Sequence, residues 1–266
     1  MIGRTGEPVT AGTLAADLRT AGVAACGTVI AHVAMSRLGW VAGAAQAVVE
    51  GLTAALGPDG TPVMPTQSAQ LSDPSGWSNP PIPERWWPEV RAALPAYDRD
   101  ATPTRGVGAV PECFRGCAGV RRSAHPLTSF AARGPSARQV LEPHPLEHGL
   151  GEGSPLTRLY DLGAQVLLLG AGHGSNTALH LAEHRCGRAP DTTESAPVRV
   201  DGERRWLTYR TTAWDSGDFD RLGADYRAAG GELVAGRVGA ADTLVIPIVA
   251  LVDFAVGWFR RHRPPL

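Results

Sequence analysis

Apolar positions in the first third of the chain alternate between a helical period and short unbroken runs. Leu14, Leu18 and Ala21 recur at helical spacing between Thr10, a good N-cap, and Gly22, a left-handed stop, which predicts an amphipathic helix. The run Thr28 to Val33 follows. After it come a helical pattern from about Ala44 to Leu56, ended by Gly57, and a second run, Thr61 to Met64. Two runs with no polar alternation, separated by a helix, predict buried parallel strands joined by a crossover.

From Thr66 to Thr104 the periodicity stops. Asp73, Trp77, Asn79, Trp86 and Trp87 are interleaved with Pro74, Pro80, Pro81, Pro83 and Pro88. Loops this long are functional or disordered, and the tryptophans favour an ordered flap, because disordered segments are poor in aromatics. A cluster that only covers core stays open beside it. Beyond Arg105 the pattern predicts a helix near Val110 to Arg115, extended pieces around Arg121 and Ser129, and a helix near Ala137 to Leu141.

The clearest unit is a strand from Gln165 to Leu169, a glycine-rich loop from Gly170 to Asn176, and a helix starting over Thr177 to His184. Strands near Ala196 to Val200 and Trp206 to Thr212 come later, with a C-terminal helix ending in Arg260, Arg261 and Arg263, where cations suit the helix dipole. The most apolar segment, Thr243 to Phe259, is short and holds Pro247 and Asp253, so it reads as a buried element rather than a membrane span. The expected fold is a single α/β/α domain over residues 1–266, with a central mixed, largely parallel sheet and a long proline- and tryptophan-rich loop.

Charge narrows the partners. With 25 basic and 26 acidic residues spread along the chain and a formal net charge of -1, no basic stripe suits a nucleic-acid backbone or an anionic membrane. A small molecule is the expected partner, and a homodimer is compatible with the sequence. Cys26, Cys113, Cys117 and Cys186 lack zinc-type or disulfide-framework spacing. The N-terminus lacks a secretory pattern, so a cytoplasmic location is expected.

In an open α/β sheet ligands bind beyond the carboxyl ends of the strands, which gives priority to G-A-G-H-G-S-N-T-A-L-H-L-A-E-H from Gly170 to His184. His173 and His180 fall in it, each with a bland alternative as a capping or core histidine. His180, Glu183 and His184 also match the H-x-x-E-H pattern of inverted zinc proteases, so a zinc hydrolase is one reading. A dinucleotide site fits poorly, because that fingerprint belongs to the first βα unit. In T-P-T-R-G-V-G-A-V-P-E-C-F-R, from Thr102 to Arg115, Gly106 and Gly108 allow close approach of a ligand and Arg105 adds charge. In R-R-S-A-H-P-L-T-S-F, from Arg121 to Phe130, adjacent arginines and hydroxyls suit phosphate or carboxylate.

Several ordered segments together resemble the aminoglycoside 3-N-acetyltransferase family, from about Thr10 to His262. They include H-V-A-M-S-R-L-G-W-V-A-G from His32, G-P-D-G-T-P-V-M-P-T from Gly57 and S-D-P-S-G-W-S-N-P-P from Ser72. T-P-T-R-G-V-G-A, R-S-A-H-P from Arg122, G-E-G-S-P-L-T-R-L from Gly151 and V-L-L-L-G-A-G-H-G-S-N-T-A-L-H-L-A-E from Val166 continue the set. The resemblance implies acetyl-CoA as donor, no metal, and the 3-amino group of a 2-deoxystreptamine ring as acceptor, attacked directly with His180 as base. His32, Ser36, Thr104, Arg105, Gly106, Gly108, Arg122, Ser123 and His125 are expected near the cofactor. Asp73, Trp77, Asn79, Glu152, His173, Thr177 and Asp215 are expected around the polycationic acceptor, with Ser36 and Thr177 as donors to the thioester oxygen.

Three departures from the family pattern bear on the substrate. H-S-S-L is here His32-Val33-Ala34-Met35, Gly174 stands where an acid is common, and Thr211-Thr212-Ala213 replaces a pair of acids, leaving Asp215 as the nearest carboxylate. They leave open a relative that binds without turnover or acetylates a different amine.

Overall fold

In the computed structural model, which describes residues 6–266, the two apolar runs and the strand before the glycine-rich loop lie side by side. These are β1 (Thr28–Val33), β2 (Thr61–Pro65) and β5 (Gln165–Leu169). β1 pairs in parallel with both neighbours, Thr28 opposite Thr61 and Val33 opposite Leu169. β3 (Arg121–Arg122), β4 (Phe130–Ala132), β8 (Val234–Val238) and β9 (Ala241–Pro247) extend the sheet to the order β3-β4-β2-β1-β5-β9-β8.

The sheet is mixed, as expected, but its parallel part is confined to those three central strands. The pairs β2–β4, β3–β4, β5–β9 and β8–β9 are antiparallel. A parallel neighbour needs a long crossover, whereas β8 and β9 meet through a tight turn at Gly239. The apolar segment Thr243 to Phe259 is likewise two elements: Pro247 ends β9, and α9 (Ile248–His262) begins at the next residue. Proline lacks the N–H for the ladder but tolerates a helix entrance.

Alternation along the central strands builds a core on each face. Ile30, Val63, Val166 and Leu168 point to the side covered by α5 (Ala137–Leu141), α6 (Pro155–Asp161), α7 (Leu179–Cys186), α8 (Phe219–Ala228) and α9. Val29, Ala31, Met64, Leu167 and Leu169 point to the side covered by α1 (Ala11–Thr20), α2 (Ala44–Leu56) and α4 (Ala109–Arg115). Thr10 caps α1 through a reciprocal bond with Thr13, and Gly22 follows in the left-handed region at φ 94. Among the described residues no helix is long and apolar enough to cross a membrane.

The proline-rich segment is an ordered flap with short 3₁₀ turns and the helix α3 (Trp87–Ala93). Both ends of it are fastened by one buried guanidinium. Arg122 donates to the Thr66 carbonyl (2.6 Å), to Ser68 Oγ (2.7 Å) and to the Thr102 carbonyl (2.5 Å), and lies over Tyr97. Further out, Arg91 of α3 forms a two-pronged bond with Asp73, 2.8 Å on each side. A separate hairpin, β6 (Asp191–Val200) with β7 (Glu203–Thr212), extends further toward solvent than its apolar positions indicate. Its turn is Asp201-Gly202, both at positive φ, as a tight hairpin requires.

Behind the flap, two histidines are buried and neutral. His125 Nδ1 accepts the Leu127 and Thr128 amides while Nε2 donates to the Leu146 carbonyl. His144 Nε2 donates to the Gly149 carbonyl and Nδ1 accepts the Ser123 hydroxyl. Burial lowers their pKa values to about 4 and about 3, against about 6.5 for an unfolded histidine.

The unfolded chain therefore binds protons at these sites at a pH where the folded chain does not. Their contribution to stability is complete above about pH 6.5 and is lost on acidification toward the folded values, at about 1.4 kcal/mol per pH unit for each residue. Calorimetry is expected to show a Tm several degrees lower at pH 5 than at pH 7.5, with a shallower decline for His144→Gln. An unchanged decline in that variant overturns the assignment.

Candidate active site

The carboxyl ends of β1, β2 and β5 open into a cavity of about 300 Å³, reached by His32, Pro65, Gly106, Asn176, Thr177 and His180. The local sequence explains the turn that makes it. Gly170 leaves β5 in the left-handed region at φ 66, where a Cβ would sit 2.8 Å from Arg37 and 3.2 Å from the Ala34 carbonyl. A short turn over His173–Ser175 follows, and Asn176 Oδ1 accepts the Ala178 amide at the start of α7. One turn on, His180 faces the cavity.

His180 is held by a carboxylate on its own helix. Its Nδ1 lies 2.7 Å from Glu183 Oε2, and Glu183 is fully buried. The other oxygen, Glu183 Oε1, accepts the Asp215 amide at 2.9 Å and a bond from Arg263 Nη1. Arg263 also donates to both oxygens of Asp218 (2.8 and 2.6 Å) and to the Asp215 carbonyl. Burial opposes its charge, but Asp218 and Glu183 outweigh that and raise its pKa. Trp214 and Phe219 pack on the imidazole, with ring centroids 5.4 and 5.0 Å away.

With a carboxylate at Nδ1, that nitrogen carries the proton and the Nε2 lone pair is the free basic site. His32 stands next to it, buried, with Nε2 unpartnered. Burial, then the proximity of His180 and His173, pull the His32 pKa down to about 3. The site thus holds one histidine anchored to an anion and one kept neutral.

Other expected residues divide by location. Gly106 and Thr177 line the cavity with His32. Gly108, at φ 87, caps α4 next to it, and the Thr104 amide is held by Glu112 at 2.7 Å. Arg105 is exposed and borders a second cavity of about 390 Å³ with Trp77 and Asn79. Ser36 is exposed and outside both. Arg122, Ser123 and His125 are interior, and their polar atoms bond to the chain itself. His173 is buried against Gly223, where a Cβ would come within 2.1 Å of the ring.

The three acids expected around the acceptor are engaged elsewhere. Arg91 holds Asp73 and lowers its pKa to about 2. Glu152 pairs with Arg185 at 2.6 Å, and Asp215 Oδ1 accepts the Gly217 amide. At Gly174 the amide is bonded to Asp220 from α8, at 2.8 Å.

The zinc reading fails on geometry. Glu183 is committed to His180 and Arg263, while His184 turns to Thr212 (3.2 Å) and packs on the His148 ring. Among the described residues no three His, Cys, Asp or Glu side chains are arranged to hold a metal ion. What the sequence reading missed is Glu183 as the partner of His180, although its i,i+3 spacing is visible in H-L-A-E-H. Arg263 carries no such local signal. Nor does Asn176, a buried amide with Nδ2 unpartnered.

The profile of the family described as aminoglycoside 3-N-acetyltransferase matches residues 30–260. The chain is 42% identical over 253 residues to the SPbeta prophage-derived aminoglycoside N(3')-acetyltransferase-like protein YokD of Bacillus subtilis (strain 168), covering 95% of this chain and 93% of that one. The crystal structure of YokD superposes with a TM-score of 0.95 over 98% of this chain and 97% of that one, at 40% identity. Aminoglycoside N(3)-acetyltransferase VIII of Streptomyces fradiae is 37% identical, over 97% of this chain and 94% of its own. A binary complex of AAC-IIIb with CoASH matches with a TM-score of 0.85 at 28% identity, over 97% of this chain and 98% of that one.

Removing Arg263 strips a buried carboxylate of its cation, a change that costs about 3 kcal/mol when one partner of a buried pair is lost. Urea unfolding of Arg263→Ala is expected to show a loss of that order, and Arg263→Lys to recover part of it. Equal stability of Arg263→Ala and the parent chain would falsify the pairing.

Proposed function

We propose, from the premise that the chain belongs to the aminoglycoside 3-N-acetyltransferase family, that it acetylates the 3-amino group of a 2-deoxystreptamine ring, with acetyl-CoA as donor and His180 as general base. The observation that carries this reading is the His180 imidazole with Nδ1 bonded to buried Glu183 and Nε2 free beside the cavity. Residues 1–266 act as one catalytic domain in the cytoplasm, where acetyl-CoA is made available by metabolism.

Acetyl-CoA supplies an activated acetyl thioester. The acceptor amine arrives protonated and is no nucleophile until a base removes its proton. The ammonium first gives one proton to water; as the neutral amine attacks the carbonyl carbon, His180 Nε2 takes a second from the same nitrogen, and Glu183 stabilises the imidazolium that results. Charge developing on the carbonyl oxygen calls for donors, and Thr177, with its hydroxyl, and Asn176, whose Nδ2 is unpartnered, are both cavity-lining residues. The imidazolium then returns its proton to the departing thiolate, so no acyl-enzyme is needed. Binding of CoASH by AAC-IIIb, together with Gly106 and Val107 at the cavity wall, supports placing the donor along that glycine turn.

A second reading has one observation in its favour. Asp73, Glu152 and Asp215 are engaged within the protein, which favours an acceptor amine other than a clinical aminoglycoside.

Coenzyme A release over a panel of aminoglycosides and simpler amines separates these readings. Thiol release with gentamicin- or kanamycin-type acceptors is the expected result. His180→Ala is expected to lower kcat about 10² to 10⁴-fold, with a smaller loss for Glu183→Gln. Full turnover by His180→Ala removes the base, and silence across the panel removes the transferase reading.

A further inference from the structure

On the stretch of cavity wall from Ala31 to Ala34, His32 is the one polar side chain. Ala31, Val33 and Ala34 border the same cavity, and none of them carries a side-chain donor. Side chains alternate along a strand, so His32 leaves β1 on the side of Ile30, the side covered by α7. His180 and Asn176 reach the cavity from the chain that follows β5, the parallel neighbour of β1. His180 lies close enough to His32 for its charge to oppose protonation there.

His32 differs from the other buried histidines in what its nitrogens touch. His125 and His144 have both nitrogens bonded to the chain. Of the two in His32, Nε2 is enclosed and unpartnered, so the edge that meets the cavity is the Nδ1 side. A neutral imidazole carries one N–H. Proteins tolerate an orphaned buried acceptor better than an orphaned buried N–H. The hydrogen therefore belongs on Nδ1, where an oxygen in the cavity can accept it.

Its basicity rules out a second base. With the pKa held at about 3, the ring does not keep a proton taken from an amine near neutral pH. Hydrogen-bond donation is the chemistry left to it. A neutral N–H keeps its hydrogen while it stabilises a negative oxygen, and it adds no positive charge that would lower the basicity of His180.

We propose that His32 is a second catalytic residue, whose Nδ1–H donates to the thioester oxygen of acetyl-CoA as that oxygen gains charge. The inference rests on the acetyltransferase reading and assigns one of the donors that the tetrahedral oxyanion requires. Because Val33 and Ala34 leave this wall without hydroxyls, the imidazole is the side-chain donor available on it.

Difference infrared spectra of bound acetyl-CoA, ¹³C-labelled at the thioester carbon and recorded without acceptor, read the bond directly, since a donated hydrogen bond lowers the carbonyl frequency. The parent chain is expected to hold the band below its position in free acetyl-CoA. His32→Leu, close in size and without a donor, should return the band toward the free position. His32→Asn, whose amide nitrogen falls near the place of the imidazole Nδ1, should restore part of the shift. In coenzyme A release, His32→Leu is expected to lose about 10²-fold in kcat while the KM for acetyl-CoA stays put, and His32→Asn to recover part of that loss. A band that does not move in His32→Leu overturns the assignment, as does a raised KM with kcat unchanged, which marks a residue that only shapes the donor site. If His32→Leu does not fold, His32→Phe decides by the same band. A parent chain that binds no acetyl-CoA defeats the acetyltransferase reading and this inference with it, whereas one that turns over while the band ignores His32 keeps the reading and removes only the donor.

Discussion

A single buried carboxylate, Glu183, sets the requirements that much of the structure meets. A charge with no access to water needs its lone pairs filled by donors and its charge matched by a cation. Its own helix supplies His180, the loop after the hairpin supplies the Asp215 amide, and the end of α9 supplies Arg263. Three distant parts of the chain must therefore meet before His180 is oriented. Helix α9 has to lie on α7 with its last turn at the right height, and Phe259, under the Arg263 guanidinium, fixes that height.

The flap is secured by a related device, with Arg122 in place of Glu183. Its guanidinium is buried, and burial lowers its pKa. Carbonyls and hydroxyls from both ends of the flap saturate its donors. A cation satisfied by dipoles holds a fixed geometry without an opposite charge beside it. This is why Arg122, half of an arginine pair that suits an anion site in the sequence, acts as a structural clamp in the fold, while Arg121 is exposed. The R-R-S-A-H-P motif keeps its residues, but their physical work is to hold the entrance of the site in shape.

Polar burial also divides the histidines by task. His125 and His144 have both nitrogens bonded to the chain and stay neutral as structural groups. His32 is neutral beside the cavity, which spares the site a second positive charge next to His180. Among the described residues only His180 combines a buried anion at one nitrogen with a free second nitrogen at the cavity, the arrangement a proton acceptor requires. In a sequence the histidines look alike, and their hydrogen-bond partners tell them apart.

What the sequence by itself determined is the part governed by local physics. The capped helix α1, the glycine-ended α2, the strands β1 and β5 and the loop carrying His180 follow from periodicity, capping and unbroken apolar runs within a few residues. The ordered motifs carried the family resemblance in the same way. Only the tertiary structure decided the antiparallel edges, because β3 and β4 are two and three residues long and leave no readable period. It alone decided that Glu183 serves His180 rather than a metal, because the spacing of H-L-A-E-H fits both and the choice falls to Arg263, 80 residues away. Hydrogen bonds between remote residues have no period or spacing in the chain, since they exist only after packing brings the groups together.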